Sequence, residues 1–182
     1  GSMLNDSVVR EKPNGQKIYG KFNRIDLVKR QLERSIRSLE DGYHFNIVAF
    51  GETVQPWQKE MTTSSDKTRY AALKWVKKLK PKGSTTINGA LHWAFGRMGF
   101  GDGTVAAIDA DTLVVLSDGS PTDGWPVGRG KEAQEAVLEN VRRWNRHHSI
   151  VIHTVAMRGA ADSAVDFLQR LAKEHGGQMA VR

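Results

Sequence analysis

The chain has 182 residues, 39% hydrophobic and 26% charged, a size and composition that fit one compact folded domain and argue against long disorder. Twenty-seven Lys and Arg against twenty Asp and Glu leave a formal charge of +7, which bears first on solubility and on long-range attraction of anions. Cys is absent, which excludes disulfides, thiolate nucleophiles and cysteine metal cages; no apolar run approaches the roughly 20 residues of a membrane helix and no secretory apolar core opens the chain, so no membrane contact is expected of it.

Residues 1–21 read as an irregular segment: Pro13, Asn14, Gly15 and Gly20 punctuate a polar stretch that supports at most a turn or a short ribbon. The folded domain is expected over residues 22–182. From Asn23 onward Ile25, Val28, Leu32, Ile36 and Leu39 recur three, four or seven apart and predict an amphipathic helix stopped by Gly42. HFNIVAFG at 44–51 predicts a strand, and Thr53, Val54 and Gln55 before Pro56 predict an edge strand. Ser65 and Asp66 predict the start of a helix that buries Tyr70, Leu73, Val76 and Leu79 and ends at Pro81. Its other side carries Lys67, Arg69, Lys74, Lys77 and Lys78, the most basic patch in the chain.

Ile87, Ala90, Leu91, Ala94 and Phe95 predict a third helix, broken by Gly96, Gly99, Gly101 and Gly103. Leu113, Val114, Val115 and Leu116 are consecutively apolar, the pattern of a strand covered on both faces. A helix from about Lys131 turns Ala133, Val137, Val141 and Trp144 inward, and 150–156 repeats the buried-strand pattern. Ser163 with Asp166 resembles a capping box for a last helix through Val165, Leu168 and Leu171 to Gly176, with a final strand over 178–181. Strands alternating with helices of this length predict an α/β fold of parallel βαβ units.

In such a sheet ligands bind beyond the carboxyl ends of the strands. Two polar stretches fall there: Ser117, Asp118, Gly119, Ser120, Pro121, Thr122 and Asp123, and Ser84, Thr85 and Thr86 before the third helix. A carboxylate with neutral hydroxyls suits a hard divalent cation such as magnesium, which prefers oxygen ligands. The competing structural reading has Asp118 starting a turn and Thr85 or Thr86 capping a helix. Trp125, between Gly124 and Pro126, is placed at the rim as a partner anchor, against simple loop packing. His147 and His148 read as a solvated helix end and His153 as a hydrogen-bonded core histidine. Neither GxSxG nor a GxGxxG between strand and helix occurs, which speaks against a serine nucleophile elbow and a dinucleotide site.

Gly83 to Leu91 combined with TLVVLSDGSPT at 112–122, the helix IDLVKRQLERSI, the strand FNIVAFG and the ending LAKEHGGQM resemble, in order, the von Willebrand factor type A domain family, and its bacterial members most. The resemblance covers roughly residues 22–182. It implies a doubly wound, mostly parallel open sheet with helices on both faces, carrying a metal-ion-dependent adhesion site built from an Asp, two Ser, a Thr and a second Asp. Matched residue by residue, the Thr is Thr85 and the second Asp is Asp118. The implied cofactor is Mg2+, or Mn2+ or Ca2+ in its place, and the implied partner is a protein whose exposed Asp or Glu completes the coordination. Ser120 and Asp123 are then expected to shape the surroundings of the ion. The resemblance thus implies a non-enzymatic interaction and adhesion module.

One departure is large. The family begins with a central strand ending in DxSGSM, and no such strand precedes the first helix here, yet the chain opens Gly1, Ser2, Met3. Ser2 is expected to be the second serine of the site; the alternative, that Gly1 and Ser2 are a remnant ahead of a start Met, stays open. A missing central strand leaves unpaired buried N–H and C=O groups at about 1–3 kcal/mol each, against a typical stability of about 5–15 kcal/mol. A separate segment is therefore expected to supply the strand, or the N-terminal residues to replace it. Without the first Asp and Ser, Thr85 and Asp118 are expected to hold metal weakly. Two other functions rank below this one: a metal-dependent hydrolase or phosphoryl-transfer enzyme using Asp118 and Asp123, for which no convincing general base is present, and nucleic-acid binding by the Lys67–Lys82 face, which would weaken steeply with salt.

Overall fold

The computed structural model describes residues 8–11, 17–20, 24–80, 85–97, 110–119, 121, 130–147 and 149–182. Strand β1 (Val8–Glu11) pairs antiparallel with β2 (Lys17–Gly20), Val8 opposite Gly20 and Glu11 opposite Lys17. This is the short ribbon the sequence allows. Helix α1 (Arg24–Arg37) follows and ends before Gly42.

The strand expected over 44–51 is split in two. β3 (His44–Phe45) pairs antiparallel with β6 (Thr62–Thr63), while β4 (Val48–Phe50) pairs antiparallel with β5 (Val54–Pro56). Asn46 is the physical reason. Its Oδ1 accepts from the N–H groups of Ile47 (2.8 Å) and Gln58 (3.2 Å), and its Nδ2 donates to the carbonyls of Gln58 (2.9 Å) and Glu60 (3.0 Å). A side chain that binds nearby backbone competes with the ladder and breaks it here.

Helix α2 (Asp66–Lys78) starts on a capping box in which Ser65 and Thr68 serve each other's backbone N–H. It buries Ala72, Leu73 and Val76, which join Ile36, Phe45 and Ile47 in one apolar cluster. Tyr70, expected inside, is 71% exposed. The buried stripe runs through 69, 72, 73 and 76, and Arg69 occupies its first position. The Arg69 guanidinium donates to the Leu39 carbonyl (3.0 Å), the Ser64 hydroxyl (3.0 Å), Asp41 (2.6 Å) and Asp66 (2.6 Å). Arg69 thus fastens α2 to the turn after α1 instead of belonging to the basic face, where Lys67, Lys74, Lys77 and Lys78 are exposed.

The second half is regular. Helices α3 (Ile87–Arg97), α4 (Lys131–Trp144) and α5 (Asp162–Glu174) alternate with β7 (Thr112–Ser117), β8 (Val151–Ala156) and β9 (Met179–Val181). The three strands are parallel in the order β7-β8-β9, with Thr112 opposite Val151 and Thr154 opposite Met179. Ile87, Leu91 and Phe95 of α3, Val137, Leu138 and Val141 of α4, Ile152 of β8 and Phe167, Leu168 and Leu171 of α5 form the main core. Each fully buried side chain of this kind contributes about 1.5–3 kcal/mol over an exposed one.

Two local expectations are corrected. Gly96 lies within α3 and does not break it; Gly99, Gly101 and Gly103 lie outside the described residues. Ser163 does not cap α5. The helix begins one residue earlier, at Asp162, and its cap residue is Ala161, whose carbonyl accepts from the N–H groups of Ala164 and Val165. Asp162 in the first turn complements the helix dipole in place of a side-chain cap. Gly176 stops α5 as expected, in the left-handed region at φ +70°. Among the described residues, no helix is long and apolar enough to cross a membrane.

Helices and parallel strands give the expected α/β class, with the sheet interrupted among the described residues. Among the described residues no strand pairs with the edge of β7 opposite β8, and β4 pairs only with β5. Within β7, Val115 and Ser117 are 6% and 2% exposed, whereas Val114, expected to be covered, is 51% exposed.

Candidate functional site

Three segments meet beyond the carboxyl ends of β4 and β7. The Thr86 hydroxyl donates to the carbonyl of Gly51, the residue after β4, at 2.6 Å, and the Thr86 N–H points to the same oxygen at 3.3 Å. The loop before α3 is thereby fixed to the end of β4. Thr85 and Thr86 then open α3, their carbonyls accepting from Ile87 (2.9 Å) and Ala90 (3.1 Å). At the end of β7 the Ser117 hydroxyl spans a tight turn, accepting from the Gly119 N–H (3.3 Å) and donating to the Gly119 carbonyl (3.2 Å). Asp118 sits at the top of that turn, 5% exposed.

Gly119 is what lets the two loops approach. A Cβ built there would lie 3.2 Å from the Thr85 hydroxyl oxygen, tighter than ordinary van der Waals contact. Thr85 and the Asp118 turn are therefore packed against one another, and both line one cavity between β4 and β7. The next turn of α3 is tied down as well: Asn88, 4% exposed, accepts at Oδ1 from the Asn140 amide of α4 at 3.2 Å. Sequence reading missed Asn88 and the fastening roles of Thr86 and Ser117. A signal for Asn88 exists, because Asn and Gly at 88–89 are poor formers placed inside a helix.

Chemically, the pair offers one carboxylate and one neutral hydroxyl, both oxygen donors of the kind a hard cation takes. Among the described residues no group of three or more His, Asp or Glu is placed to hold a metal ion. Magnesium needs no such cage, since it is usually bound through one or two carboxylates and keeps several waters. The donor types fit part of its shell. Ser2, Ser120, Asp123 and Trp125 lie outside the described residues.

The remaining candidates sit elsewhere. His153 Nδ1 accepts from the Gln178 N–H at 3.1 Å, and His147 is exposed after α4. His175 meets Asn145 through Nδ1 at 3.0 Å, its Nε2 is buried without a hydrogen-bond partner, and its carbonyl accepts from Ile152 at the start of β8. Burial, and to a lesser degree Arg142, holds this imidazole below its ordinary pKa, partly opposed by Glu174. It lies at the amino end of the sheet, away from Asp118.

The profile of the von Willebrand factor type A domain matches residues 20–181. The chain is similar to the human von Willebrand factor A domain-containing protein 3A, 29% identical over 134 residues, which is 74% of this chain and 10% of that protein. It is 30% identical over 139 residues to the human inter-alpha-trypsin inhibitor heavy chain H2, 74% of this chain and 13% of the relative. The chain thus spans about a tenth to an eighth of these relatives. In fold it matches a von Willebrand factor type A protein from Catenulispora acidiphila, with TM-score 0.68 and 16% identity over 87% of this chain and 34% of the other. It also matches an aerotolerance-related membrane protein from Bacteroides fragilis NCTC 9343 carrying multiple mutations to serines, with TM-score 0.63 and 16% identity over 100% of this chain and 86% of the other.

Proposed function

This chain belongs to the von Willebrand factor type A domain family, a family of protein-interaction and adhesion modules, and we propose that it recognises an acidic group of a partner protein through a divalent cation held by Thr85 and Asp118. The supporting observation is the packing of the Thr85 loop against the Asp118 turn beyond the carboxyl ends of β4 and β7. Asp118 supplies negative charge in a place only 5% exposed, where charges act on one another more strongly than in water. Thr85 supplies a neutral oxygen and leaves net positive charge for an incoming Asp or Glu. A bound cation would supply the electrostatic link between two groups that otherwise repel. Ser2 would add a second hydroxyl, Ser120 and Asp123 would shape the loop beside Asp118, and Trp125 would stand at the rim against the partner. Nothing in this scheme makes or breaks a covalent bond, so the module is non-enzymatic.

Calorimetric titration with Mg2+ and Mn2+ tests the reading. The parent chain is expected to bind one ion, Thr85→Ala to bind it more weakly and Asp118→Ala not at all, with an unchanged far-UV spectrum. Equal binding by Asp118→Ala would sink it.

A further inference from the structure

We propose that Asn145 and His175 form a proton-sensitive latch: the neutral imidazole holds the 145–150 loop between α4 and β8 in place, and a proton added to the ring releases it. The inference goes beyond the cation reading and does not depend on it, because the latch lies at the amino end of the sheet.

Two helix ends meet there. Asn145 is the cap residue at the end of α4, and His175 is the one at the end of α5. The Asn145 side chain clasps the far end of its own loop: its Nδ2 donates to the Ile150 carbonyl at 2.8 Å, and its Oδ1 accepts from the Ile150 N–H at 2.9 Å. Those two backbone partners fix which end of the amide is nitrogen. The second hydrogen of Nδ2 is left for His175 Nδ1, 3.0 Å away. Nδ1 is therefore an acceptor, and the neutral ring carries its proton on Nε2. Ser149, inside the loop, stands at φ +55°, in the left-handed region that a residue with a side chain rarely adopts. The clasp thus holds the loop in a shape that its own backbone disfavours.

A proton from solvent can add only at Nδ1, where it faces the Asn145 Nδ2–H group, donor against donor. Turning the amide over offers Oδ1 to the imidazolium, and that charge-assisted bond is stronger than the neutral one it replaces. The same turn sets Nδ2 against the Ile150 N–H and Oδ1 against the Ile150 carbonyl, so both clasp bonds are lost together. The ring is the fixed member of the pair. The His175 N–H donates to the Ala172 carbonyl at 3.1 Å, its carbonyl accepts from Ile152 at 3.3 Å, and its Nε2 is enclosed. The loop is exposed at Arg146, His147 and Ser149 and yields instead. Burial, the largest influence on the ring, favours the neutral form and a closed latch. Of the charged neighbours, Glu174 of α5 favours the proton and Arg142 of α4 opposes it, and the two are paired with each other at 2.8 and 2.9 Å. On β8 His153 is engaged by the Gln178 N–H, and Asp111, whose carbonyl accepts from Val151, is exposed.

Nitrogen-resolved NMR of the whole chain tests the latch as pH is lowered from about 7.5 to about 4.5, across the ordinary imidazole range. At the start the ring should carry hydrogen on Nε2 alone. As His175 titrates, the protection factor of the Ile150 amide, which removes the intrinsic pH dependence of exchange, should fall by about tenfold or more. The amides of Thr154 and Met157, bonded to the Gln178 and Ser117 carbonyls, should keep theirs. His175→Gln, whose Oε1 can accept from Asn145 at every pH, should keep Ile150 protected throughout. Asn145→Asp sets an acceptor opposite Nδ1, so His175 should hold its proton to higher pH and acid should no longer strip protection from Ile150. The proposal is overturned if the neutral ring carries hydrogen on Nδ1, if the ring stays neutral throughout, or if it titrates while Ile150 protection stays constant. It is overturned equally if Thr154 and Met157 lose protection in step with Ile150, or if His175→Gln responds to acid as the parent does. Chelator should leave the response unchanged, which separates this test from that of the cation site.

Discussion

Gly177 leaves no room for a side chain. A Cβ there would fall 2.0 Å from the Ile152 carbonyl oxygen, 2.5 Å from its carbon and 3.0 Å from the His153 nitrogen. Those atoms are backbone of β8 and cannot swing aside, so Gly177→Ala must push the α5–β9 turn off the sheet. Overpacking of this kind costs about 1–3 kcal/mol or more, and urea denaturation should show a loss in that range with an unchanged slope. His175 gives a pH dependence. Its pKa is lowered in the folded chain, so as pH falls the unfolded chain takes up the proton first. The associated stability is complete above the ordinary imidazole pKa of about 6.5 and is lost below it as pH falls through the folded value. The melting temperature should drop less between pH 7.5 and 5.5 in His175→Gln than in the parent; equal drops would assign the effect elsewhere. At this scale the sequence marks Thr85 and Asp118 by residue type and position. It misplaces Tyr70, because hydropathy alone assigns an aromatic inward while the helix phase gives the buried position to Arg69 and its four acceptors.

Helices proved more legible than strands. An amphipathic helix announces itself through a repeat held over many residues, and α2, α3 and α4 start within a residue of where their patterns begin. The segment 44–51 carries the right residue types for a strand, but the hydrogen bonds of Asn46 to Gln58 and Glu60 decide where it breaks, and those partners are distant in sequence. The cap of α5 fails for a related reason: Ser163 has the right chemistry two positions too late, inside the first turn. The cap of α2 forms as its sequence predicts. Ser65→Ala should therefore destabilise by about 0.5–2 kcal/mol, whereas Ser163→Ala should cost clearly less; thermal denaturation of the two variants compares them directly.

Over the whole molecule, the parallel β7-β8-β9 sheet with its helices forms one packed body, while β3–β6 and β4–β5 stand as separate antiparallel pairs. The alternation of strands and helices was enough to predict the class. An interruption of the sheet among the described residues was legible only through the resemblance, since composition and periodicity contain no term for it. Among the described residues no strand lies in the gap between β4 and β7, and those described before α1 pair with one another as β1 and β2. The site at the end of that gap carries the functional account, and paramagnetic broadening by Mn2+ in amide spectra tests it most directly. Substoichiometric Mn2+ should first erase the amide signals of Thr85, Thr86, Asp118 and Gly119, excess Mg2+ should restore them, and Asp118→Ala should abolish the effect. Broadening centred elsewhere, or undiminished in Asp118→Ala, would contradict a cation site at Thr85 and Asp118.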